Sequence, residues 1–195
     1  MVAMLRPAFA MVGSMTLLLG LLVPLAFTGF AQLVLPGPAN GSLVEAGGKL
    51  VGSRLLGQQF TGMRYFHPRP SVTTEADPDQ PGGTRAAPYN GAASAASQAG
   101  PTSAALLQGV TARVAEAGPA PVPADAVTAS ASGLDPHISP ANAARQVARV
   151  AAARGLPEAR VRALLAAHTE GPEWGIFGDP RVNVLELNLA MDALP

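Results

Sequence analysis

Between Pro7 and Val44 the chain carries no charged residue, and inside that stretch the run from Phe9 to Leu35 is almost wholly apolar. A lipid-spanning helix needs about 20 predominantly apolar residues, because lipid offers no partner to a backbone amide and a helix satisfies its own. The run is long enough, and no later segment repeats it. The sequence therefore predicts a short tail over 1–8, one transmembrane helix over 9–35 and a soluble domain over 36–195. A cleaved secretory signal fits less well: its apolar region spans about 7–15 residues before a small-x-small site. Gly29-Phe30-Ala31 has that pattern, but the run preceding it is much longer. A buried helix of a soluble protein would need apolar partners all round and ordinarily meets charges sooner.

Pro24 lies inside the run and removes a backbone donor, leaving the carbonyl of Gly20 without its usual partner, so a kink or weakened turn is expected there. Gly13, Ser14 and Gly20 are small enough to let another helix approach closely. Arg6 precedes the run and Lys49 and Arg54 follow it, so charge votes only weakly on orientation. Long domains translocate largely regardless of charge. The tail is accordingly expected in the cytoplasm and the domain outside it.

The residues after the run suffice for one domain with its own core. Formal net charge is zero and 13% of residues are charged, so no basic field attracts a nucleic acid. The absence of cysteine removes disulfides, thiolate metal sites and a cysteine nucleophile together.

After Pro36-Gly37-Pro38, short apolar runs broken by Gly41, Gly47, Gly48, Gly52 and Gly57 predict short strands and turns. From about 71 to 100 small and polar residues dominate, which predicts an exposed loop. Thr102 or Ser103 can cap a helix carrying Leu106, Leu107, Val110 and Val114, ended by Gly118-Pro119. Asp125 to Ser130 reads as extended. Ser139-Pro140 opens a helix that Gly155 stops, with Ala144, Val147, Val150 and Ala151 on its apolar face and Arg145 and Arg149 turned away. Pro157-Glu158 opens its partner, with Val161, Leu164 and Leu165 inward, and Glu170-Gly171-Pro172 closes it. Over Arg181–Met191 the period is partly two and partly helical, and strand and helix are not separable there. The fold class expected is a mixed α/β (α+β) extracytoplasmic domain behind one N-terminal membrane helix.

Asp135-Pro136-His137-Ile138-Ser139 places a carboxylate, an imidazole and a hydroxyl close together, the ingredients of a membrane-tethered hydrolase. A triad normally converges from separate parts of a fold, however. Ser139 is expected to cap the helix that follows, and Asp135 before proline suits a turn. The same His137 could join Asp135 or Glu170 at a metal, but no repeated histidine spacing supports that, and His67 and His168 stand alone. No phosphate-cradling glycine loop, dinucleotide fingerprint or nucleophile elbow is present. Arg64-Tyr65-Phe66-His67-Pro68-Arg69-Pro70 interleaves aromatic and basic groups, which suits either a buried contact surface or a rigid proline-bounded corner.

Several blocks together resemble the KdpC family, the C subunit of the bacterial potassium-transporting Kdp ATPase. They are Arg6-Pro7, Asn40-Gly41-Ser42-Leu43, Gly52-Ser53-Arg54-Leu55-Leu56-Gly57-Gln58, Tyr65-Phe66-His67-Pro68-Arg69-Pro70-Ser71, Val127 through Pro140, and Pro180 through Ala190. They fall in order along nearly the whole chain. Where the family usually carries two glycines and an asparagine, this chain has Ala95, Ala96 and Gln98.

The resemblance implies a non-catalytic subunit of a high-affinity, ATP-driven potassium importer in the bacterial inner membrane. Its implied partners are a potassium-selecting channel-like subunit, a P-type ATPase subunit and a small single-span subunit. ATP, magnesium and potassium would be handled by the complex, with no cofactor assigned to this chain. The family is described as assisting nucleotide binding, whereas an outward domain has no access to cytoplasmic ATP. An external role, covering the potassium entrance, suits that placement better, with any effect on nucleotide affinity transmitted through the helices. Gly13, Gly20, Tyr65, Phe66, Arg69, Asp135 and His137 are the expected partner contacts. Asp135, Glu170, Asp179 and Glu186 are candidates for an acidic rim.

Overall fold

The computed structural model describes residues 2–118 and 121–194. They form two compact units, divided between Leu43 and Val44.

In the first unit α1 (Val2–Leu17), a π-helical stretch (Leu18–Leu22) and α2 (Val23–Val34) follow one another without a break. Met4–Val34 is 31 residues long and apolar enough to cross a membrane, and it buries nothing within the chain. The turn expected to weaken at Pro24 does so by a change of winding. The Val23 N–H donates to Leu18 O, five residues back. Widening the turn just ahead of the proline eases the crowding its ring imposes on the preceding turn. A Cβ added at Gly13 would meet nothing within 4 Å, and one at Gly20 only Thr16 Cγ2 at 3.9 Å. The helix ends at α3 (Pro36–Ala39), where Asn40 Nδ2 donates to Gln32 Oε1 at 3.0 Å and to Pro36 O at 2.7 Å.

The division between the two units falls within β1 (Leu43–Ala46), which pairs with β2 (Lys49–Ser53) across Gly47 and Gly48. Both glycines have positive φ, as a tight two-residue turn requires. The segment expected to be an exposed loop over 71–100 is more ordered than its composition suggests. It contains β3 (Thr74–Ala76) and β4 (Thr84–Ala86), antiparallel with Glu75 opposite Arg85. Thr73 is buried, its Oγ1 donating to Ala87 O at 2.6 Å, while Asn90 Nδ2 donates to Thr74 O at 2.9 Å. Short polar side chains satisfy the backbone here in place of an apolar core.

Ser103 caps α4 (Ala104–Ala117), its side chain accepting from Leu106 N. The apolar residues of α4 do not enter the core, and Leu107 is 68% exposed. The segment read as extended begins instead with one helical turn, α5 (Ala124–Val127). Its Asp125 carboxylate accepts from Ser139 N (2.8 Å), Ser139 Oγ (2.8 Å) and Asn142 Nδ2 (3.0 Å), a long-range anchor that local pattern does not encode.

The core lies under α6 (Pro140–Arg154), α7 (Glu158–Ala167) and α8 (Val184–Asp192), which flank an antiparallel sheet of order β5-β7-β6 (His137–Ile138, Arg181–Asn183, Thr169–Glu170). The termini of α6 follow the sequence: Ser139 Oγ accepts from Asn142 N, Pro140 starts the helix, and Gly155 ends it in the left-handed region. The ambiguous segment after Pro180 is strand and helix in succession. Asn183 closes β7 and caps α8 by accepting from Glu186 N. Ala143, Val147, Val150, Ala151, Val161, Leu165, Val182, Val184, Leu187 and Met191 form the apolar centre together with Phe66 and Ile138.

Candidate functional site

Asp135, His137 and Ser139 leave the turn before α6, and hydrogen bonds commit each of them. Asp135 Oδ1 accepts from the His137 N–H at 2.9 Å, with His137 Nδ1 at 3.6 Å, and Oδ2 accepts from Arg69 Nη1 at 2.9 Å. Burial pushes the Asp135 carboxyl up, but the bonds from His137 and then Arg69 outweigh it and hold it below the usual carboxylate range. Ser139 Oγ donates to Asp125 and caps α6, so His137 and Ser139 do not form a base–nucleophile pair. His137 lies opposite Asn183 in the sheet. Among the described residues no group of three or more His, Asp or Glu side chains is placed to hold a metal.

The aromatic-basic cluster is a structural corner. Phe66, expected as a partner contact, is instead wholly buried in the core. Its backbone is held there by Asn188, which both accepts from and donates to it. Tyr65 is half-buried between Phe60, with ring centroids 5.5 Å apart, and Arg154, whose guanidinium lies 5.3 Å from its ring centre. Its hydroxyl donates to Asp192 Oδ2 at 3.3 Å. The His67 N–H donates to Gln146 Oε1 at 2.7 Å, and burial lowers the His67 pKa, with a hydrogen bond to Gly62 O opposing and Arg149 reinforcing the shift.

A cavity of about 770 Å³ opens beside this corner, with Arg69, Arg113, Arg145 and Arg149 in its walls and Glu116 as its carboxylate. Arg145 and Arg149, expected to point away from the apolar face of α6, reach backbone carbonyls of other segments. Arg145 Nη2 donates to Ala117 O at 2.7 Å, and Arg149 Nη1 to Met63 O at 2.7 Å. Arg113 Nη1 likewise donates to Val127 O at 3.0 Å. The Tyr89 hydroxyl donates to Arg69 O at 2.7 Å, and its pKa is pushed far up, by burial first and then by Asp135. Bonds to backbone carbonyls make these arginines pins for loops and helix ends.

The acidic candidates are scattered. Glu186 pairs with Arg54 at 2.6 Å, Glu170 with Arg181 at 3.1 Å, and Asp179 is exposed on the turn before β7.

One feature of this surface escapes the sequence reading. Between β6 and β7, Glu173 and Phe177 form an isolated antiparallel bridge that presents Trp174, Ile176 and Phe177 to solvent. The available signal was the only tryptophan in the chain, set between Pro172 and Gly178 with two more large apolar residues.

Comparison with known proteins matches residues 5–193 to the model of the KdpC family, described as the c chain of the K+-transporting ATPase. A potassium-transporting ATPase KdpC subunit of Methylobacterium nodulans is 56% identical over 97% of this chain and 96% of its own length. Proteins of the same name from Methylorubrum populi and Rhodopseudomonas palustris are 52% and 51% identical, over 100% and 96% of this chain and 98% and 96% of their own lengths. Matches of this extent, carried by a chain with one N-terminal helix apolar enough to span a membrane, establish that it belongs to the KdpC family, a subunit of the K+-transporting ATPase.

Proposed function

We propose that this chain is a non-catalytic accessory subunit that stabilises its potassium-transporting complex from the outer face of the bacterial inner membrane. The observation that carries this reading is the pairing of one long apolar N-terminal helix, Met4–Val34, with a domain whose nearest approach to a catalytic trio is committed to structure. In this reading the helix anchors the chain with its tail in the cytoplasm, and the domain covers the external entrance of a potassium-selecting partner. A P-type ATPase subunit handles ATP and magnesium, and a small single-span subunit completes the complex. Any influence on nucleotide affinity travels through packed helices, because the domain and the nucleotide lie on opposite sides of the bilayer.

Two measurements test it. A reporter fused after Leu194 that is active only outside the cytoplasm is expected to be active, and a cytoplasmic carboxyl terminus would overturn the topology. Complex prepared without this chain is expected to lose potassium-stimulated ATPase activity, and restoration by added full-length chain is expected to follow reassembly. Unchanged activity and assembly without the chain would overturn the accessory role.

A further inference from the structure

The turn between β6 and β7 holds three large apolar side chains out of the fold: Trp174 is 88% exposed, Ile176 78% and Phe177 60%. The turn is built, not frayed. The Glu173 N–H donates to Phe177 O at 2.8 Å and the Phe177 N–H returns to Glu173 O at 3.0 Å, while Gly175 N donates to Pro172 O at 3.0 Å. Arg181 fastens the base by donating to Glu170 and to Glu173, each at 3.1 Å. Trp174 has φ +52, a left-handed conformation costly for a bulky side chain, and its ring meets that of Phe177 edge-on at 5.9 Å.

A strained tryptophan held in water by a closed turn gains nothing from this domain's own core. Rigid aromatic anchors of this kind dominate the energetics of protein interfaces, where they fill apolar pockets inside a polar rim. The surroundings discriminate between occupants. Glu170 and Glu173 stand at the base of the turn and the exposed Asp179 follows it in sequence, with Arg181 as the opposing cation, which leaves the rim acidic. An anionic lipid surface repels such a rim, whereas a socket bordered by basic side chains attracts it.

We propose that the Trp174–Phe177 tip is an anchor that enters an apolar, basic-rimmed socket on another subunit of the same K+-transporting ATPase. The inference rests on the accessory-subunit reading above and names the surface that performs it.

The test uses the full-length tagged chain expressed with the other subunits and isolated in mild detergent. Trp174→Ser and the double variant Ile176→Ser/Phe177→Ser are each expected to lower retention of the partner subunits about tenfold or more. Asp179→Lys is expected to lower it less, and all three variants should keep the unfolding midpoint of the parent because these side chains are exposed. Wild-type chain that retains no partner subunit overturns the accessory reading and this inference with it. Wild-type retention matched by both apolar variants overturns this inference alone. Because Trp174 is the only tryptophan, its fluorescence in the isolated chain, reconstituted into nanodiscs of brominated lipid, gives a second readout. Unquenched emission is expected, and quenching would assign the tip to the bilayer and overturn the proposal.

Discussion

Phe66 and Asn188 hold each other by a reciprocal pair of hydrogen bonds: the Phe66 N–H donates to Asn188 Oδ1 at 2.8 Å, and Asn188 Nδ2 donates to Phe66 O at 3.0 Å. The amide on α8 thus does for a buried piece of irregular backbone what a neighbouring strand would do. Both residues are buried, so neither bond has water as a ready substitute. Asn188→Leu removes both partners at once, and the expected loss is about 2–4 kcal/mol of stability. Urea unfolding of the full-length chain in mild detergent measures it; an unchanged midpoint would show that the latch contributes nothing.

Asp135 joins the turn before α6 to Arg69. Its folded-state pKa is depressed, so its contribution is fully present above the unfolded value near 3.9 and is lost as pH falls through the lower folded value. Asp135→Asn is therefore expected to cost about 2 kcal/mol at pH 7 and much less near pH 3. Unfolding curves at the two pH values provide the comparison, and an equal deficit at both would remove the charge from the explanation.

His67 titrates in a different window. Burial, the largest cause, depresses its pKa, so the neutral ring favours the folded state above its unfolded value of about 6.5. That advantage is lost as pH falls through the folded value. Between pH 8 and pH 5 the parent chain should lose more thermal stability than His67→Gln. Parallel melting temperatures over that range would contradict this.

Gly133 has φ +71, and a Cβ added there would lie 2.5 Å from Thr73 Cγ2 and 2.8 Å from Ala95 O. Gly133→Ala combines backbone strain with a collision against main chain, and is expected to destabilise by about 2–4 kcal/mol. Gly155 makes a useful control. It also has positive φ but open space around its Cβ position, so Gly155→Ala carries the backbone cost without the collision. Equal losses in the two variants would mean that the close packing at Gly133 is of no consequence.

What was legible in the sequence was local. Ser139-Pro140 and Gly155 mark the two ends of α6 because a cap, a fixed φ and a left-handed residue each act within a turn of where they stand. The apolar N-terminal helix was equally plain from its run alone. What was not legible depended on residues distant in sequence. Asp125 sits in a helical turn because Ser139 and Asn142 anchor it, and Phe66 is core and not surface because Asn188 and α8 close over it. An aromatic residue in an irregular segment ahead of Pro68 carries no local sign of which way it faces. The segment after Pro180 gave mixed periods for a simple reason: it changes from strand to helix at Asn183, which serves both. Gln98 is a further case. It has φ +50, a left-handed conformation that asparagine tolerates better than glutamine does, and nothing in its immediate neighbourhood in sequence announces it.

The wide turn at Leu18–Leu22 bears on what the apolar helix can touch. Each residue in a π-helical turn advances the spiral through a smaller angle than an α-helical residue does. The side-chain faces of Val2–Leu17 and Val23–Val34 therefore fall out of step, where uniform winding would have aligned them. A stripe of side chains that includes Gly13 on one side of the wide turn does not continue on the same face beyond it. Two surfaces in succession replace a single stripe along the apolar helix.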